Sequence, residues 1–236
     1  MPTYAAILED TDSVTYAIQF GLYPNVKTNF YGDIVTLTNP ESTLALVNKN
    51  YALPTDYEPT DLVYLENISL YAPGRNNEAN YLRAIAAEAL TEMFEVAKQE
   101  QGYTLIARSG YRSYETQVGL YSHYVQTNGQ WYADAYSARA GHSEHQTGLT
   151  IDVTSRSVSS GLSATFGTST EGQWVAQNCH RFGFIIRYPE GRSEEVGYEY
   201  EPWHLRYVGI EAATEIYENN SILEDYLLEH ALIENQ

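Results

Sequence analysis

The sequence predicts an α+β fold, in which a small central antiparallel sheet is flanked by helices. Helical patterns occur early and late in the 236-residue chain, and short apolar runs of strand length gather in the middle. Segregated helices and strands are typical of α+β folds, whereas regular alternation of the two favours a parallel sheet. A chain of this length can bury one sizeable core.

Two units are expected along the chain. Residues 1–43 form an N-terminal extension, predicted to be helical and packed on the core, and residues 44–236 carry the motifs described below. At the start of the second unit, the apolar run LALVNK (Leu44–Lys49) predicts a short strand, and Pro54 and Pro59 interrupt regular structure after it.

The clearest helix is predicted over Asn77–Gln101, because apolar residues recur there with the 3.6-residue period and glutamates occupy the opposite face. Gly102 is its stop signal. A second helix is predicted to begin after Ser113, which suits an N-cap, and to end near Asn128. A shorter helical stretch follows at residues 130–139.

The remaining elements are shorter. Apolar runs bounded by turn residues predict strands over residues 103–108, 148–153, 184–188 and 204–208. Helical patterns are predicted over residues 171–182 and from Gly209 to the C-terminus, with a break at Asn219–Asn220.

Composition and charge exclude several function classes. The formal net charge is −18, so the surface repels phosphate backbones and anionic lipid headgroups, and neither nucleic acid nor a membrane surface is an expected partner. No dedicated protein partner is indicated, and we expect a monomer. Cys179 is the single cysteine, which excludes an intrachain disulfide.

The sequence has no apolar run long enough to span a bilayer, and no basic region followed by an apolar segment of the secretory type. We therefore expect either a cytoplasmic protein or an exported one that has lost its leader or anchor.

Histidine and acidic residues cluster in two places, each beside a turn. The first cluster is SEHQTGLTID at residues 143–152, and the second is EPWH at residues 201–204. A catalytic zinc site needs three imidazole or carboxylate ligands, with the fourth position left for water. It also needs a carboxylate outside the ligand set that can take a proton from that water.

The spacing is compatible with such a site. Asp152 follows His145 by seven residues, so a turn at Thr147–Gly148 can bring the next strand back to the same ion. The helical His-Glu-x-x-His arrangement is absent. A His-x6-Asp pair also arises by chance, and a histidine beside an acid is often a surface pair, so the spacing alone leaves both interpretations open.

Three ordered blocks resemble the VanY-like D-alanyl-D-alanine carboxypeptidases, which are LAS-type peptidoglycan peptidases. They are SGYRSYETQ at residues 109–117, SEHQTGLTID at residues 143–152 and EPWHLRYVG at residues 201–209. The resemblance extends over about residues 44 to 230. One departure is Thr150, where the family commonly has alanine.

The resemblance implies a zinc enzyme with one Zn²⁺ per chain, and the zinc site is expected at the edge of the sheet. His145, Asp152 and His204 match the family's zinc ligands, and Glu201 matches its general base. Arg112 matches an arginine that stabilises the oxyanion, as the chemistry also requires of a cation facing developing negative charge.

The substrate contacts are expected nearby. Ser143 matches a position that contacts the substrate near its free carboxylate, and Gln117, Tyr111 and Trp203 are expected to line the groove. A salt bridge with an acid such as Glu115 is the alternative role for Arg112.

Two further polar residues lie within the first cluster. His142 is expected beside the metal ligands or at the rim of the site. Glu144, between the two histidines, is expected to point away from the metal.

The activity implied is that of a D,D-carboxypeptidase, which releases the terminal D-alanine of a peptidoglycan stem peptide by attack of metal-activated water. An L,D-carboxypeptidase, a D-Ala-D-Ala dipeptidase and an endopeptidase are alternatives on the same scaffold. From another class, a non-catalytic cell-wall binding module is the alternative, although every catalytic position is filled. The resemblance implies an extracytoplasmic, cell-wall-associated protein of a bacterium.

Overall fold

The structure is a computed structural model that describes residues 30–236. Residues 1–29, which include most of the predicted N-terminal extension, lie outside the described residues. Residues 30–43 contain a short strand and turns, and no helix is found within that stretch. The helical prediction for the rest of the extension stays a prediction.

Eight strands and eight α-helices, joined by short 3-10 turns, make up the described part of the chain. The strands are β1 (Val35–Thr36), β2 (Tyr51–Ala52), β3 (Leu62–Tyr64), β4 (Tyr81–Arg83), β5 (Leu105–Ser109), β6 (Thr150–Ser155), β7 (Phe184–Tyr188) and β8 (Glu201–Tyr207). The helices are α1 (Ala84–Gln101), α2 (Tyr114–Asn128), α3 (Gln130–Tyr136), α4 (Thr165–Thr168), α5 (Thr170–Asn178), α6 (Ser193–Val196), α7 (Ile210–Glu218) and α8 (Leu223–Glu229).

The main sheet has four strands in the order β5-β6-β8-β7, and every neighbouring pair is antiparallel. Two small sheets accompany it, a parallel pair of β1 with β2 and an antiparallel pair of β3 with β4. The predicted α+β class with a small central antiparallel sheet is confirmed.

The two faces of the main sheet differ because side chains alternate along each strand. Ile151 and Val153 of β6 and Leu205 of β8 project to one face and join the larger core, which α1 and α5 complete. The residues between them, among them Asp152 and His204, project to the opposite face. This polar face carries the candidate site, and a second core beside it contains residues of α7 and α8.

The predicted start of the first helix was wrong. The helix predicted from Asn77 begins at Ala84, because residues 81–83 form β4 instead and pair with β3 (Leu62 opposite Arg83). This pairing joins segments about twenty residues apart in the chain, and helical periodicity carries no information about it.

The prediction that Ser113 is the N-cap of α2 is confirmed. Its hydroxyl accepts a hydrogen bond from the Thr116 amide at 3.3 Å.

The strand predicted over Leu44–Lys49 was also wrong. Its apolar residues are buried as expected, but side chains from elsewhere satisfy the backbone in place of a strand partner. The Leu46 amide donates to Oε1 of Gln236 at 2.7 Å, and the Ala45 carbonyl accepts from Nη2 of Arg206 at 2.7 Å. Buried backbone groups need partners, and here side chains supply them.

Among the residues that the structure describes, no helix combines the length and the apolarity that a membrane span requires.

Candidate metal centre and catalytic cavity

Three predicted ligands come together over the polar face of the main sheet. Asp152 on β6 and His204 on β8 are directly opposite each other in the strand register. His145 lies on the 3-10 turn Glu144–Thr147 that precedes β6. One nitrogen or oxygen atom of each residue lies within 4.8 Å of the other two. The centre therefore lies over the two central strands, a finer placement than the sheet edge expected from the sequence.

The turn that carries His145 depends on a glycine. Gly148 ends it with φ of 66°, in the left-handed region that residues with a Cβ rarely adopt. A Cβ at this position would lie 2.9 Å from both Cγ of Arg83 and Cδ2 of Leu62. Both the backbone angle and the lack of space thus favour glycine three residues after His145.

The distances within the centre fit a zinc ion. Oδ1 of Asp152 lies 3.6 Å from Nε2 of His145 and 3.4 Å from Nδ1 of His204. Tetrahedral zinc, with bonds of about 2.0–2.2 Å, holds its ligand atoms about 3.4 Å apart. Oδ1 of Asp152 is also buried without a hydrogen-bond partner among the described residues. Such an atom is costly unless a cation accompanies it.

Hydrogen bonds orient both imidazoles toward the centre. Nδ1 of His145 lies 2.7 Å from the carbonyl oxygen of Gly110 and donates to it, which leaves Nε2 facing Asp152. Nε2 of His204 lies 3.4 Å from Oε2 of Glu144, which leaves Nδ1 facing Asp152. In each ring one nitrogen is held by the protein and the other is available to a metal, as is usual for metal-binding histidines.

Charge in the centre is concentrated around His204. Burial lowers the pKa of His204, but the carboxylates of Asp152 and Glu144 outweigh burial and raise this pKa to about 9. Burial and the nearby Arg112 lower the pKa of His145 to about 3. The carboxylates of Asp152 and Glu144 therefore favour a positive charge at the His204 ring, which a bound cation would also supply.

Glu201, the predicted general base, begins β8 at the edge of the centre. Its Oε2 lies 3.5 Å from Nδ1 of His204, and its side chain is 21% exposed, whereas that of His204 is 6% exposed. Burial, with a contribution from Asp152, raises the pKa of Glu201 to about 7. A carboxylate with a pKa near neutrality can both accept and return a proton.

Arg112, the predicted oxyanion residue, lies between β5 and α2. Its backbone amide donates to the His145 carbonyl at 3.2 Å, which ties this loop to the turn carrying a predicted ligand. Its guanidinium donates to Oε1 of Gln117 at 2.9 Å and to Oγ of Ser109 at 3.3 Å. Within the described part of the chain it makes no ion pair with Glu115, the alternative partner considered above.

These groups open into a cavity of about 450 Å³. Its wall includes the predicted metal ligands with Arg112 and Glu201, and also Ser143 and Trp203. Much of the remaining lining is aromatic, namely Tyr124, Tyr132, Tyr136, Tyr188, Tyr198 and Tyr200. This volume lies within the range of ligand-binding pockets.

Two of the residues that were predicted to line the groove, Gln117 and Tyr111, lie outside this cavity. Gln117 is 1% exposed and lies behind Arg112, where its amide donates to the Ala138 carbonyl at 2.7 Å while its oxygen accepts from the guanidinium. Tyr111 lines a separate cavity beside Glu58, Glu78 and Glu115. Tyr111 and Arg112 are neighbours in sequence but line different cavities, and a sequence motif does not show this difference. The roles of all these residues stay predictions.

Glu144 lies outside the ligand trio and faces the nitrogen of the His204 ring opposite the one that faces Asp152. Its side chain is fully buried beneath the centre, contacts His204 and accepts hydrogen bonds from Arg187 and Arg206. Burial alone would raise the pKa of Glu144, but the two guanidinium groups hold this pKa well below its usual range. One signal was available: Arg206 stands two residues after His204 in a strand and so shares its face.

His142 does not join the centre. Its Nδ1 lies 2.8 Å from the Asn48 carbonyl oxygen, and its ring packs edge-on against Tyr31 with centroids 5.1 Å apart. It holds the segment before β2 in place.

Comparisons with known proteins agree with this geometry. The family model for VanY, D-alanyl-D-alanine carboxypeptidase, matches residues 79–210. The chain is 45% identical over 208 residues to YodJ of Bacillus subtilis (strain 168), a protein named as a carboxypeptidase, with 86% of this chain and 75% of YodJ covered.

Two solved structures resemble the fold. The LdcB LD-carboxypeptidase matches with a TM-score of 0.79 and 47% identity, covering 82% of this chain and 89% of LdcB. A mutant of the vancomycin-resistance D,D-pentapeptidase VanY, in complex with Zn(II), matches with a TM-score of 0.64 and 32% identity, covering 78% of this chain and 98% of that one.

Proposed function

The chain belongs to the VanY family of D-alanyl-D-alanine carboxypeptidases, and from this membership we propose that it is a zinc-dependent carboxypeptidase releasing the C-terminal D-alanine of peptidoglycan stem peptides. That it is a peptidase follows from the family. The observation that supports the zinc dependence is the trio of His145, Asp152 and His204, whose facing atoms are spaced like the ligands of tetrahedral zinc. We propose one zinc ion per chain and a monomeric enzyme.

Each residue of the cavity has a role in this proposal. Zinc held by His145, Asp152 and His204 would supply a Lewis acid that polarises the scissile carbonyl and lowers the pKa of a water molecule. Glu201 accepts a proton from the attacking water and returns it to the leaving amine, for which its raised pKa is suitable. The guanidinium of Arg112 faces the negative charge that develops on the carbonyl oxygen.

The substrate is held by the rest of the wall. Ser143 binds near the free carboxylate of the terminal residue, and Trp203 with the tyrosines covers the peptide and excludes water. Gln117 holds Arg112 in place from behind, in contrast to the direct contact expected from the sequence.

Two bonds are candidates for cleavage. The sequence predicts the D,D bond at the end of a pentapeptide stem, as the family description suggests. A specific observation favours the L,D bond at the end of a tetrapeptide stem: the chain is 47% identical to the LdcB LD-carboxypeptidase but 32% identical to the D,D-pentapeptidase. Both reactions release D-alanine and would use the same three zinc ligands together with Glu201 and Arg112.

Defined stem peptides decide between the two. We would incubate the zinc-loaded protein with tripeptide, tetrapeptide and pentapeptide stems and with free D-Ala-D-Ala, and identify the products by mass spectrometry. Conversion of pentapeptide to tetrapeptide supports the D,D bond, and conversion of tetrapeptide to tripeptide supports the L,D bond. Cleavage of the free dipeptide alone indicates a dipeptidase. Binding of stems without hydrolysis in zinc-replete buffer would overturn the proposed activity in favour of a binding module.

The role of Glu201 has its own test. Glu201→Gln should lower kcat by about 10²–10⁴-fold, the usual contribution of a general base, while zinc content measured by metal analysis stays at the wild-type level. Glu194→Gln, at an exposed acid in α6, is the matched control and should keep wild-type kcat. Wild-type kcat in Glu201→Gln would refute the assignment.

We also propose that the protein acts outside the cytoplasm, where its substrate is located. Fractionation of cells of the source bacterium, with immunodetection of the chain, tests this location. Recovery in the cytosolic fraction alone would refute it.

A further inference from the structure

Beneath the metal centre lies a cluster of four charged residues that the proposed reaction does not use directly. Glu144, Arg187, Arg206 and Glu224 have side chains with no exposed surface, and ion pairs connect all four. Their formal charges sum to zero. Burial of four charges is costly even when they are paired, so a cluster of this kind needs an explanation beyond stability.

The two carboxylates of the cluster are not equivalent. Both oxygens of Glu224 accept from the guanidinium of Arg187, at 2.9 and 2.6 Å. Glu144 instead takes both of its arginine hydrogen bonds on one oxygen, since Oε1 accepts from Nε of Arg187 at 2.8 Å and from Nη1 of Arg206 at 2.9 Å. Its other oxygen, Oε2, faces Nε2 of His204 at 3.4 Å.

This arrangement determines which way the His204 ring presents its lone pair. A carboxylate oxygen only accepts hydrogen bonds, so Nε2 carries a hydrogen, and in the neutral ring that binds a metal Nδ1 is then the nitrogen with the free lone pair. Nδ1 is the atom that faces Oδ1 of Asp152 at 3.4 Å. A ring tautomer set by a carboxylate behind it is a known way to orient and strengthen a metal-binding histidine.

We propose that Glu144 is the positioning residue of His204, and that Arg187 and Arg206 hold its Oε1 so that Oε2 is directed at the ring. This inference rests on the proposed function, because it gives the carboxylate a role toward a zinc ion at His145, Asp152 and His204. Glu224 balances the charge of Arg187 and does not contact the ring.

The pair Glu144→Gln and Glu224→Gln tests the idea. Each variant removes one buried negative charge from the same cluster with little change of shape. In Glu144→Gln the amide oxygen takes the place facing the two arginine donors, so the NH₂ group faces His204 and requires Nε2 to accept. The hydrogen then moves to Nδ1, where it opposes metal binding. Glu224→Gln leaves the ring contact intact.

The measurement is the zinc dissociation constant of each protein, obtained by competition with a chromophoric chelator. Loss of a carboxylate behind a metal-binding histidine typically weakens metal affinity by about 10–100-fold, and we expect this for Glu144→Gln alone. The visible absorption of the cobalt-substituted protein provides a second readout. It should change in Glu144→Gln and stay as in wild type in Glu224→Gln.

The outcomes separate the alternatives. Equal losses of affinity in the two variants, or wild-type affinity in Glu144→Gln, would overturn the positioning role and leave the cluster a structural feature. Wild-type protein that binds no zinc would overturn the proposed function together with it. If Glu144→Gln does not fold, Glu144→Asp keeps the charge but withdraws the carboxylate by one methylene, and unchanged zinc affinity in that variant would equally refute the proposal.

Discussion

Gly148 provides a test of how the turn before β6 supports the metal centre. The change is Gly148→Ala, and the matched control is Gly102→Ala at the C-terminal end of α1. Both glycines have left-handed backbone angles, with φ of 66° and 74°. They differ in surroundings: a Cβ at Gly102 meets nothing within 4 Å, whereas one at Gly148 lies 2.9 Å from Arg83 and from Leu62.

The comparison isolates the effect of crowding. An alanine in the left-handed region costs about 1–2 kcal/mol, and the lower entropy of the unfolded chain offsets about 0.4–1 kcal/mol of this. Both terms apply to both variants and cancel in the difference. What remains is overpacking at Gly148, where such contacts typically cost about 1–3 kcal/mol. Arg83 cannot easily give way, because it is held to Asp61 at 2.8 Å and to the Glu41 carbonyl at 2.7 Å.

We therefore expect Gly148→Ala to lower the free energy of unfolding by about 1–3 kcal/mol more than Gly102→Ala does. Denaturant unfolding of the metal-free proteins, followed by circular dichroism, measures this difference. Zinc affinity should fall in Gly148→Ala and not in the control, because only Gly148 lies in the turn that carries His145. Equal unfolding free energies for the two variants would refute the reasoning.

Three further predictions concern other parts of the chain. Arg112→Lys should lower kcat and leave zinc affinity unchanged, since a lysine has no planar fork to bond Gln117 while it faces the substrate; steady-state kinetics with metal analysis would show this. Cys179, which is 2% exposed and whose pKa burial raises to about 12, should react with a thiol reagent only after unfolding, and rapid labelling of the native protein would contradict it. Burial lowers the pKa of Lys49 to about 8. Below about pH 8 the folded protein therefore bears the free-energy cost of a buried ammonium group. This cost disappears as the pH rises toward about 10.4, the pKa of a lysine in the unfolded chain. Lys49→Met should accordingly stabilise the protein more, relative to wild type, at about pH 7 than at about pH 9.5, and a reversed trend in denaturant unfolding would refute this sign.

The helices, strands and caps that depend on a local sequence pattern were predicted best. The period of 3.6 residues found the body of α1, and the apolar run FIIRY found β7 with the bounds that the structure has. Ser113 was recognisable as an N-cap because its chemistry acts within one turn of helix. The three predicted ligands came from motif spacing and resemblance, and the register of β6 with β8 brings two of them face to face.

What the sequence did not predict depends on contacts between distant segments. β4 forms because Arg83 pairs with Leu62, and the segment around Leu46 is held by Gln236 at the other end of the chain. The function of Glu144 was missed for the same reason. Its partners Arg187 and Arg206 lie on strands more than forty residues away in sequence, and an acid beside a histidine looks the same whether it is solvated or buried.

The placement of Glu144 directly before His145 has a consequence for the whole centre. The 3-10 turn Glu144–Thr147 carries one predicted ligand, and it also carries the carboxylate that orients another, since Oε2 of Glu144 faces the ring of His204 on β8. A displacement of this turn therefore disturbs two of the three ligands, one by moving it and one by turning its ring. A Cβ at Gly148 would displace this turn. A stabilising substitution in another part of the chain should therefore not restore the zinc affinity that Gly148→Ala loses, and neither should a substitution that affects Asp152 alone.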